Sequence, residues 1–323
     1  MRATARARAN IALVKYWGKA DAVLNVPAVG SVSITLDNLY SETSVEFDAS
    51  LDCDSLTLDG SADATALERV TACVDLLRER AGIDTRVRVV SRNNFPTGAG
   101  LASSASGFAA LVAAGAAALD LSLSPKALSV LARRGSGSAA RSVFGGYVEM
   151  HAGTRADGSD SFAEPLLEAA AWPLRVVVAI TSRDRKRVGS TAAMHASAET
   201  SPYYPAWLAT SAADICAAKA AIGDRDFAAL GAVAERSCLK MHALAMSSSP
   251  PIIFWNSATI ACIDAVRTLR EDGFGVFLTI DAGPQVKVVC VPEDAATVAD
   301  ALRGISGVVD VVETGLGSGV EIC

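Results

Sequence analysis

Residues 93–107 read NNFPTGAGLASSASG and follow TRVRVVSR (85–92), whose apolar positions recur with the period of a strand. Behind them, ASSASGFAALVAAGAAALDL has the alanine content of a helix that is largely buried. A strand, a Gly/Ser-rich turn and a helix start together make an anion site. The first turn of a helix leaves N–H groups unpaired, and its dipole favours negative charge. Gly98, Gly100 and Gly107 permit close approach of backbone to phosphate. Ser103 and Ser104 add hydroxyl donors, or a contact to magnesium. The lysine of GxxxxGK[ST] is missing, and Ala102 and Ser103 stand where GxGxxG needs its third glycine. Taken alone, the segment also fits a structural turn ahead of a buried helix.

The whole chain bounds the choice. Its 323 residues exceed one ordinary core and imply two domains or one large α/β unit. Half of them are hydrophobic, which is enough for a real core and argues against disorder. A formal net charge of −6 gives no reason to expect nucleic acid or an acidic membrane, whereas a small anion responds to local charge. The seven cysteines are scattered, odd in number and without a C-x-x-C pair. They read as buried thiols in a reducing compartment, neither a disulfide framework nor a metal site. IALV at 11–14 is too short for a signal sequence, and no uncharged stretch reaches membrane-spanning length. The expectation is a soluble, cytoplasmic protein.

Along the chain, residues 9–14 form a short strand, and 31–37 with 42–48 suggest a hairpin around NLYS. Helical spacing covers 64–80 and 124–135, the second with proline near its start and glycine at its end. A polar excursion at 152–173 precedes a strand at 174–180 and a charged loop, SRDRKRVGST. Long helices follow at 206–222, 227–245 and 257–271. Strands at 275–280 and 286–291 bracket DAGPQ, and a short helix near 294–303 with a strand near 307–313 completes the pattern. The organisation is α+β with two domains, 1–170 and 171–323.

Cations concentrate in loops that also hold glycine and serine. KYWGK supplies Lys15, Tyr16 and Lys19. ARRGSGSAARSVFGG (132–146) supplies Arg133, Arg134, Ser136, Ser138 and Arg141. RDRKRVGST supplies Arg183, Arg185, Lys186, Arg187, Ser190 and Thr191. Three such loops in an acidic protein point to a pocket for a polyanion, with arginine suited to phosphate or carboxylate. Asp281, past an apolar strand and fixed by Gly283-Pro284, either caps a turn or orients a substrate hydroxyl. The histidines at 151, 195 and 242 are isolated and form neither a triad nor a metal motif.

With these residues in view, the chain resembles the mevalonate diphosphate decarboxylase family of the GHMP kinase superfamily. The resemblance runs through ANIALVKYWGK (9–19), NNFPTGAGLASSASG, RRGSGSAARSVFGG, AETSP (198–202), MHA (241–243) and DAGPQVKV (281–288). It implies a ribosomal protein S5 domain 2-like N-terminal domain, a C-terminal α/β-sandwich and a site in the cleft between them. The implied activity is ATP-dependent decarboxylation of (R)-5-diphosphomevalonate to isopentenyl diphosphate, with Mg2+ arriving on ATP. Catalysis would fall to Asp281 at the 3-hydroxyl and Arg141 on the carboxylate. Lys15, Tyr16, Lys19, Ser136, Ser138, Ser190 and Thr191 would bind substrate. Pro96, Gly98, Gly100, Leu101, Ala102, Ser103, Ser104 and Lys186 would meet ATP. The resemblance also implies a homodimer, since family members generally are, with diphosphomevalonate and ATP as small-molecule ligands. Three departures stand out: Gln285 where the family has asparagine, Gly98 where alanine is common, and Trp255-Asn256 after MHA. The rival readings are a mevalonate 5-phosphate decarboxylase, a mevalonate 3-kinase and an anion-binding or assembly protein that kept the fold.

Overall fold

The computed structural model describes residues 1–95, 103–184 and 186–323. The first half of the chain carries β1 (Arg2–Val14), β2 (Lys19–Asp21), β3 (Val26–Pro27), β4 (Ser31–Phe47), β5 (Ser55–Leu58), β6 (Ser61–Ala62), α1 (Ala64–Ala81), β7 (Val87–Asn93), α2 (Ser103–Ala118), α3 (Pro125–Gly135), a 3-10 turn at Gly137–Val143, β8 (Tyr147–Met150) and β9 (Ala163–Leu167). The second half carries β10 (Arg175–Ile180), α4 (Ser190–Thr200), α5 (Tyr204–Asp224), α6 (Phe227–Met246), α7 (Ser257–Glu271), β11 (Val276–Ile280), β12 (Val286–Cys290), α8 (Ala295–Arg303), β13 (Asp310–Gly315) and β14 (Glu321–Ile322).

A mixed sheet runs β14-β1-β4-β7-β5-β6, with β8 beside β4 and β9 beside β8. Helices α1, α2 and α3 cover one face. The small side chains of α2 explain how it lies so deep: Ala109, Ala110, Ala113 and Ala114 pack against Val45, Val74 and Leu77 with almost no exposure. The second sheet is antiparallel, β11-β12-β10-β13. Its inner residues Val176, Val178 and Phe277 share one core with Ile11, Leu13 and Ile34 of the first sheet. The chain end then returns to the first sheet, where Ile322 opposes Ala5. The two halves are therefore joined by a continuous core and by a crossing strand, and the cleft between them has a firm floor.

Four local readings change. The hairpin at 31–48 is instead one strand, β4, of 17 residues. None of residues 38–41 has the positive φ of a two-residue hairpin turn, and the strand runs on through NLYS. It forms a bulge: Arg8 opposes Tyr40 while Asn10 opposes Thr35, and the looped-out Asn38 donates to Glu313 O at 2.9 Å. Strand β1 starts at Arg2 rather than residue 9. RATARARA alternates with period two, but its buried members are Ala5, Ala7 and Ala9, and alanine is a weak strand signal. Residues 190–200 form α4, which the charged loop before them obscures. Finally, Cys73, Cys238, Cys262 and Cys290 are buried, but Cys53, Cys216 and Cys323 are exposed, on a loop, a helix exterior and the chain end; all seven are free.

Candidate active site

A cleft of about 690 Å³ lies between the halves. From the first half it takes Lys15 and Tyr16 at the end of β1, Lys19 and Asn25 of the β2–β3 hairpin, Arg69 of α1, and Ser136, Ser138 and Arg141 around the 3-10 turn. From the second it takes Lys186, Ser190, Thr191 and Asp281. Ser103 and Ser104 open α2 at its edge. Five cations thus line a cleft whose described residues include one carboxylate.

Helices α2 and α4 both present their first turns to this space, with Ser103-Ser104 and Ser190-Thr191. Neither has an acidic residue in that turn, so each leaves its positive end for an anionic ligand. Ser136 links the 3-10 turn to the start of α2, since its hydroxyl lies 3.4 Å from Ser104 Oγ and 3.3 Å from Ser138 Oγ. Tyr16 packs over the same turn. A Cβ at Gly137 would come within 2.5 Å of the Tyr16 hydroxyl, so only glycine fits there. Burial pushes the Tyr16 phenol up to about 12, and its buried hydroxyl has no partner among the described residues. Gly18 of KYWGK is equally constrained, with φ +93° and Tyr204 Oη 2.2 Å from where a Cβ would stand.

Arg141 is 3% exposed, and its guanidinium rests on neutral oxygens. Nε and Nη2 donate to Asn10 Oδ1 at 3.1 and 2.9 Å, and Nη1 donates to Ser31 Oγ at 2.7 Å. Asn10 is itself fixed by donating to Ser138 O and Ser142 Oγ. Burial pulls Arg141 down to about 10, still charged at neutral pH. Three of the other four cleft cations follow the same rule, Lys15 being the exception. Lys19 Nζ donates to Asn25 Oδ1 at 2.6 Å, Arg69 to Gly135 O at 2.8 Å, and Lys186 Nζ to Ser190 Oγ at 2.8 Å and Ala282 O at 3.3 Å. Burial lowers the pKa of each, with the neighbouring Arg69 adding to the effect on Lys19.

Asp281 is built differently. Lys15 Nζ lies 2.6 Å from Oδ1 and Lys287 Nζ 3.2 Å from Oδ2. Burial alone would raise this carboxyl's pKa, but the two ammonium groups outweigh it and hold it well below the usual carboxylate range. About a quarter of its side chain, 24%, is open to the cleft. Helix α6 supports the arrangement: Ser237 Oγ accepts the Lys15 amide at 2.9 Å, and Cys238 Sγ accepts the Ile280 amide at 3.2 Å. His242 Nε2 lies 3.3 Å from Ile280 O; burial lowers the ring to about 3, so it is neutral and donates.

Not every expected residue comes to the cleft. Pro96, Gly98, Gly100, Leu101, Ala102 and Arg185 lie outside the described residues. Arg183 pairs with Asp310 at 2.9 Å on the surface, and Arg133 is enclosed behind the cleft rather than lining it. The departures at 255, 256 and 285 belong to the scaffold. Gln285 is wholly buried, accepting the Thr181 amide at 2.6 Å and donating to Ser182 O at 2.5 Å, which ties the DAGPQ turn to the end of β10. Asn256 caps α7, and Trp255 packs on His242 at 4.7 Å between ring centroids. Residues that sequence reasoning missed are Asn10, Asn25, Arg69 and Lys287. The first three are recognisable only through tertiary contact, whereas Lys287 left a signal, a lone charge inside the apolar run VKVVC.

Two other cavities bear on ligand choice. A groove of about 840 Å³ beside α2 and α3 carries Asp37 and Glu168 on its wall and, among the described residues, no lysine or arginine, which disfavours a polyanion. A cavity of about 190 Å³ shares Arg69, Ser103 and Ser104 with the cleft; apolar residues such as Leu56, Val89 and Phe108 make most of its remaining wall, with Thr43, Ser91 and Asn93 on one side. Among the described residues one His/carboxylate cluster, Glu149, His151 and Glu164, has metal-ligand spacing. It sits on the β8–β9 hairpin outside the cleft, with Lys219 already 2.5 Å from Glu149.

The geometry matches that of known proteins over the whole chain. Residues 7–163 match the family model of a diphosphomevalonate decarboxylase-like N-terminal domain, and residues 176–315 that of a mevalonate 5-diphosphate decarboxylase C-terminal domain. The chain is 39% identical over 330 residues to a diphosphomevalonate decarboxylase of Aspergillus fumigatus, covering 95% of this chain and 81% of that protein. It is 35% identical over 317 residues to the Homo sapiens diphosphomevalonate decarboxylase, covering 91% and 78%. Among solved structures, mevalonate diphosphate decarboxylase of Staphylococcus aureus aligns with a TM-score of 0.93 at 39% identity, covering 100% of this chain and 98% of that one. The Enterococcus faecalis enzyme aligns at 0.91 and 37%, covering 100% and 99%.

Proposed function

The chain belongs to the diphosphomevalonate decarboxylase family, and from that premise we infer that it converts 5-diphosphomevalonate to isopentenyl diphosphate at the expense of ATP. The observation that carries this reading in the structure is the charge of the cleft: five cations, four of them with neutral partners, around one carboxylate. Such a site suits two polyanions held end to end. Low-dielectric walls strengthen each attraction, so the local field outweighs the net negative charge of the protein.

We assign the residues as follows. Lys19, Tyr16, Ser190 and Thr191 hold the substrate diphosphate, and Ser136, Ser138 and Arg141 hold its other end, with the Arg141 fork on the carboxylate. Ser103, Ser104, Arg69 and Lys186 meet the phosphates of ATP, and the small cavity beyond Arg69 takes its base between apolar walls and the polar side chains of Thr43, Ser91 and Asn93. Mg2+ comes with the nucleotide. A solved relative, 38% identical, holds magnesium together with AMPPCP and MVAPP. Here the cleft carboxylate is already bound by two lysines, so the hydroxyl of Ser104 would be the fitting protein ligand for the ion. Its chemistry would be to neutralise charge on the transferring phosphoryl group.

Asp281 faces the 3-hydroxyl of the substrate. Its open edge accepts that hydroxyl's hydrogen bond and aims the oxygen at the γ-phosphoryl group. With both oxygens bound by ammonium groups it is a weak base, so it first orients and polarises the hydroxyl; late in transfer, when that oxygen has become acidic, it accepts the proton and passes it to solvent. Phosphorylation turns a poor leaving group into a good one. Loss of the 3-phosphate then breaks the C3–O bond and develops positive character at C3. The C–CO2 bond supplies its electron pair to the new alkene, and carbon dioxide departs. Arg141 holds the carboxylate in line without surrounding it, because Asn10 and Ser31 occupy its other donors. Family membership also supports a cytoplasmic homodimer; among the described residues no helix is long and apolar enough to cross a membrane.

The test is an assay of purified protein with Mg-ATP and mevalonate, its 5-phosphate or its 5-diphosphate in turn, measuring ADP and carbon dioxide together. Stoichiometric release of both from the diphosphate alone is expected. Equal turnover of the monophosphate, or ADP without carbon dioxide, would replace this reading with one of its relatives.

A further inference from the structure

Strand β12 lies inside the second sheet, between β11 and β10, and every one of its residues is buried. Lys287 is opposed by Thr279 on one side and Val178 on the other, and its side chain is 2% exposed. A lysine in such a place is costly to desolvate, and the fold would accept methionine or leucine there more readily. It does not line the cleft. Its ammonium group instead reaches Asp281 Oδ2 at 3.2 Å from beneath, while Lys15 takes Oδ1 at 2.6 Å and anchors itself on Ala12 O at 2.9 Å.

We propose that Lys287 is a positioning residue for Asp281: by holding Oδ2 from the core side it fixes the plane of the carboxylate and its charge, so that the edge facing the cleft meets the substrate hydroxyl. This rests on the assignment of Asp281 to the 3-hydroxyl. One ammonium group would leave the carboxylate free to rotate about the Lys15 contact; two, one on each oxygen, hold the plane. The other groups around the pair do not substitute for Lys287. Cys238 and His242, from α6, are both kept neutral by burial, the thiol pushed up and the imidazole down to about 3. Lys186, from the loop before α4, is committed to Ser190 and Ala282, and Arg141, from the 3-10 turn, to Asn10 and Ser31.

The experiment compares K287M, K287Q and K287R with wild type in kcat, KM for both substrates, and the pH dependence of kcat. In wild type Asp281 stays ionised far below neutral pH, so it contributes no acid limb above pH 5. In K287M burial acts against one ammonium group instead of two. The carboxyl's pKa rises, and an acid limb enters the measurable range. With one charged hydrogen bond lost, kcat should fall roughly 10- to 100-fold, with KM values little changed. K287R should recover much of the loss, whereas K287Q, a donor without charge, should recover orientation but keep the raised acid limb. A wild-type kcat and pH profile in K287M, accompanied only by a lower Tm, would reduce Lys287 to a structural ion pair. A raised KM with kcat intact would make it a substrate contact and overturn the proposal equally. If K287M does not fold, the pH profile of K287Q alone decides. A 13C-carboxyl NMR titration of Asp281, assigned with D281N, reads the same shift without turnover. An error in the substrate assignment would leave that titration unaffected.

Discussion

Arg141 and Asp281 face one cleft, both deep in the protein, and their surroundings follow opposite rules. Arg141 is held by an amide oxygen and a hydroxyl, and among the described residues no carboxylate bonds to it. Asp281 has an ammonium group on each oxygen. The difference lies in where each charge is meant to act. A cation with neutral partners keeps its charge available, and a substrate carboxylate completes it. An anion already saturated with cations stays ionised and immobile, and offers the substrate a fixed acceptor. Lys19, Arg69 and Lys186 follow Arg141 in this; among the described cleft residues Asp281 alone follows its own rule.

The comparison breaks most visibly at Asp281. Asp281→Asn keeps the size and most hydrogen bonds, but leaves Lys15 and Lys287 as buried charges without an anion. A turn residue would tolerate the change. As the oriented acceptor, Asp281 should lose roughly 10²- to 10⁴-fold in kcat, with substrate binding far less affected. Single-turnover release of ADP and carbon dioxide separates the two steps. Both should fall together, since decarboxylation needs the phosphorylated product. Retained ADP release without carbon dioxide would move Asp281 to the second step.

Arg141→Gln tests the other side. The amide can still reach Asn10, so the scaffold survives, but the cation for the carboxylate is gone. The loss of one charged hydrogen bond, about 1.5–3 kcal/mol, predicts roughly a ten- to hundredfold fall in kcat/KM for diphosphomevalonate and little change for ATP. Arg141→Lys should not rescue it, because an ammonium group cannot span Asn10 and Ser31 while also meeting a carboxylate. Equal losses for both substrates would place Arg141 in the scaffold instead. A smaller effect is expected at Ser104, where the hydroxyl faces both Ser136 and the nucleotide side of the cleft. Ser104→Ala should lower kcat/KM for ATP about tenfold, the worth of one such bond. Lower Tm with unchanged kinetics would make it a helix-start residue only.

How far this division can be read without coordinates depends on where its members sit in the chain. Lys15, Ser136, Arg141 and Asp281 stand in loops where glycine and serine gather, and composition alone marks them. Asn10 and Arg69 are invisible in that way, since each sits within a regular element and gains its meaning from a partner far along the chain, Arg141 or Gly135. The same limit governs the fold. Helices α5, α6 and α7 follow from their own periodicity, whereas the long strand β4 was disguised by turn-like residues that in fact form a bulge against β13. Lys287 is the intermediate case: the odd charge in VKVVC is legible, but its partner is not.

Arg133 offers the smallest effect on turnover and the finest test of the comparison. It stands eight residues before Arg141, is fully buried, and is pulled down by burial to about 10, as Arg141 is. Yet none of its three guanidinium nitrogens has a hydrogen-bond partner among the described residues, and it does not line the cleft. If an unpaired cation were useful only where a substrate can complete it, this one serves no step of the reaction. Its folded-state pKa lies below the ordinary arginine value, so folding is penalised wherever the group is charged. That penalty is fully present below about pH 10 and fades as pH rises from there towards the ordinary arginine range. Arg133→Met fills the same space without a charge and should leave kcat and both KM values near wild type. It should stabilise the protein at pH 7 by about 1 kcal/mol, the low end of what such exchanges give. Urea unfolding measures the gain, and steady-state kinetics the constancy. A raised KM for diphosphomevalonate would mean that the Arg133 charge reaches the substrate through Tyr16. The cleft's field would then extend one layer deeper than its lining.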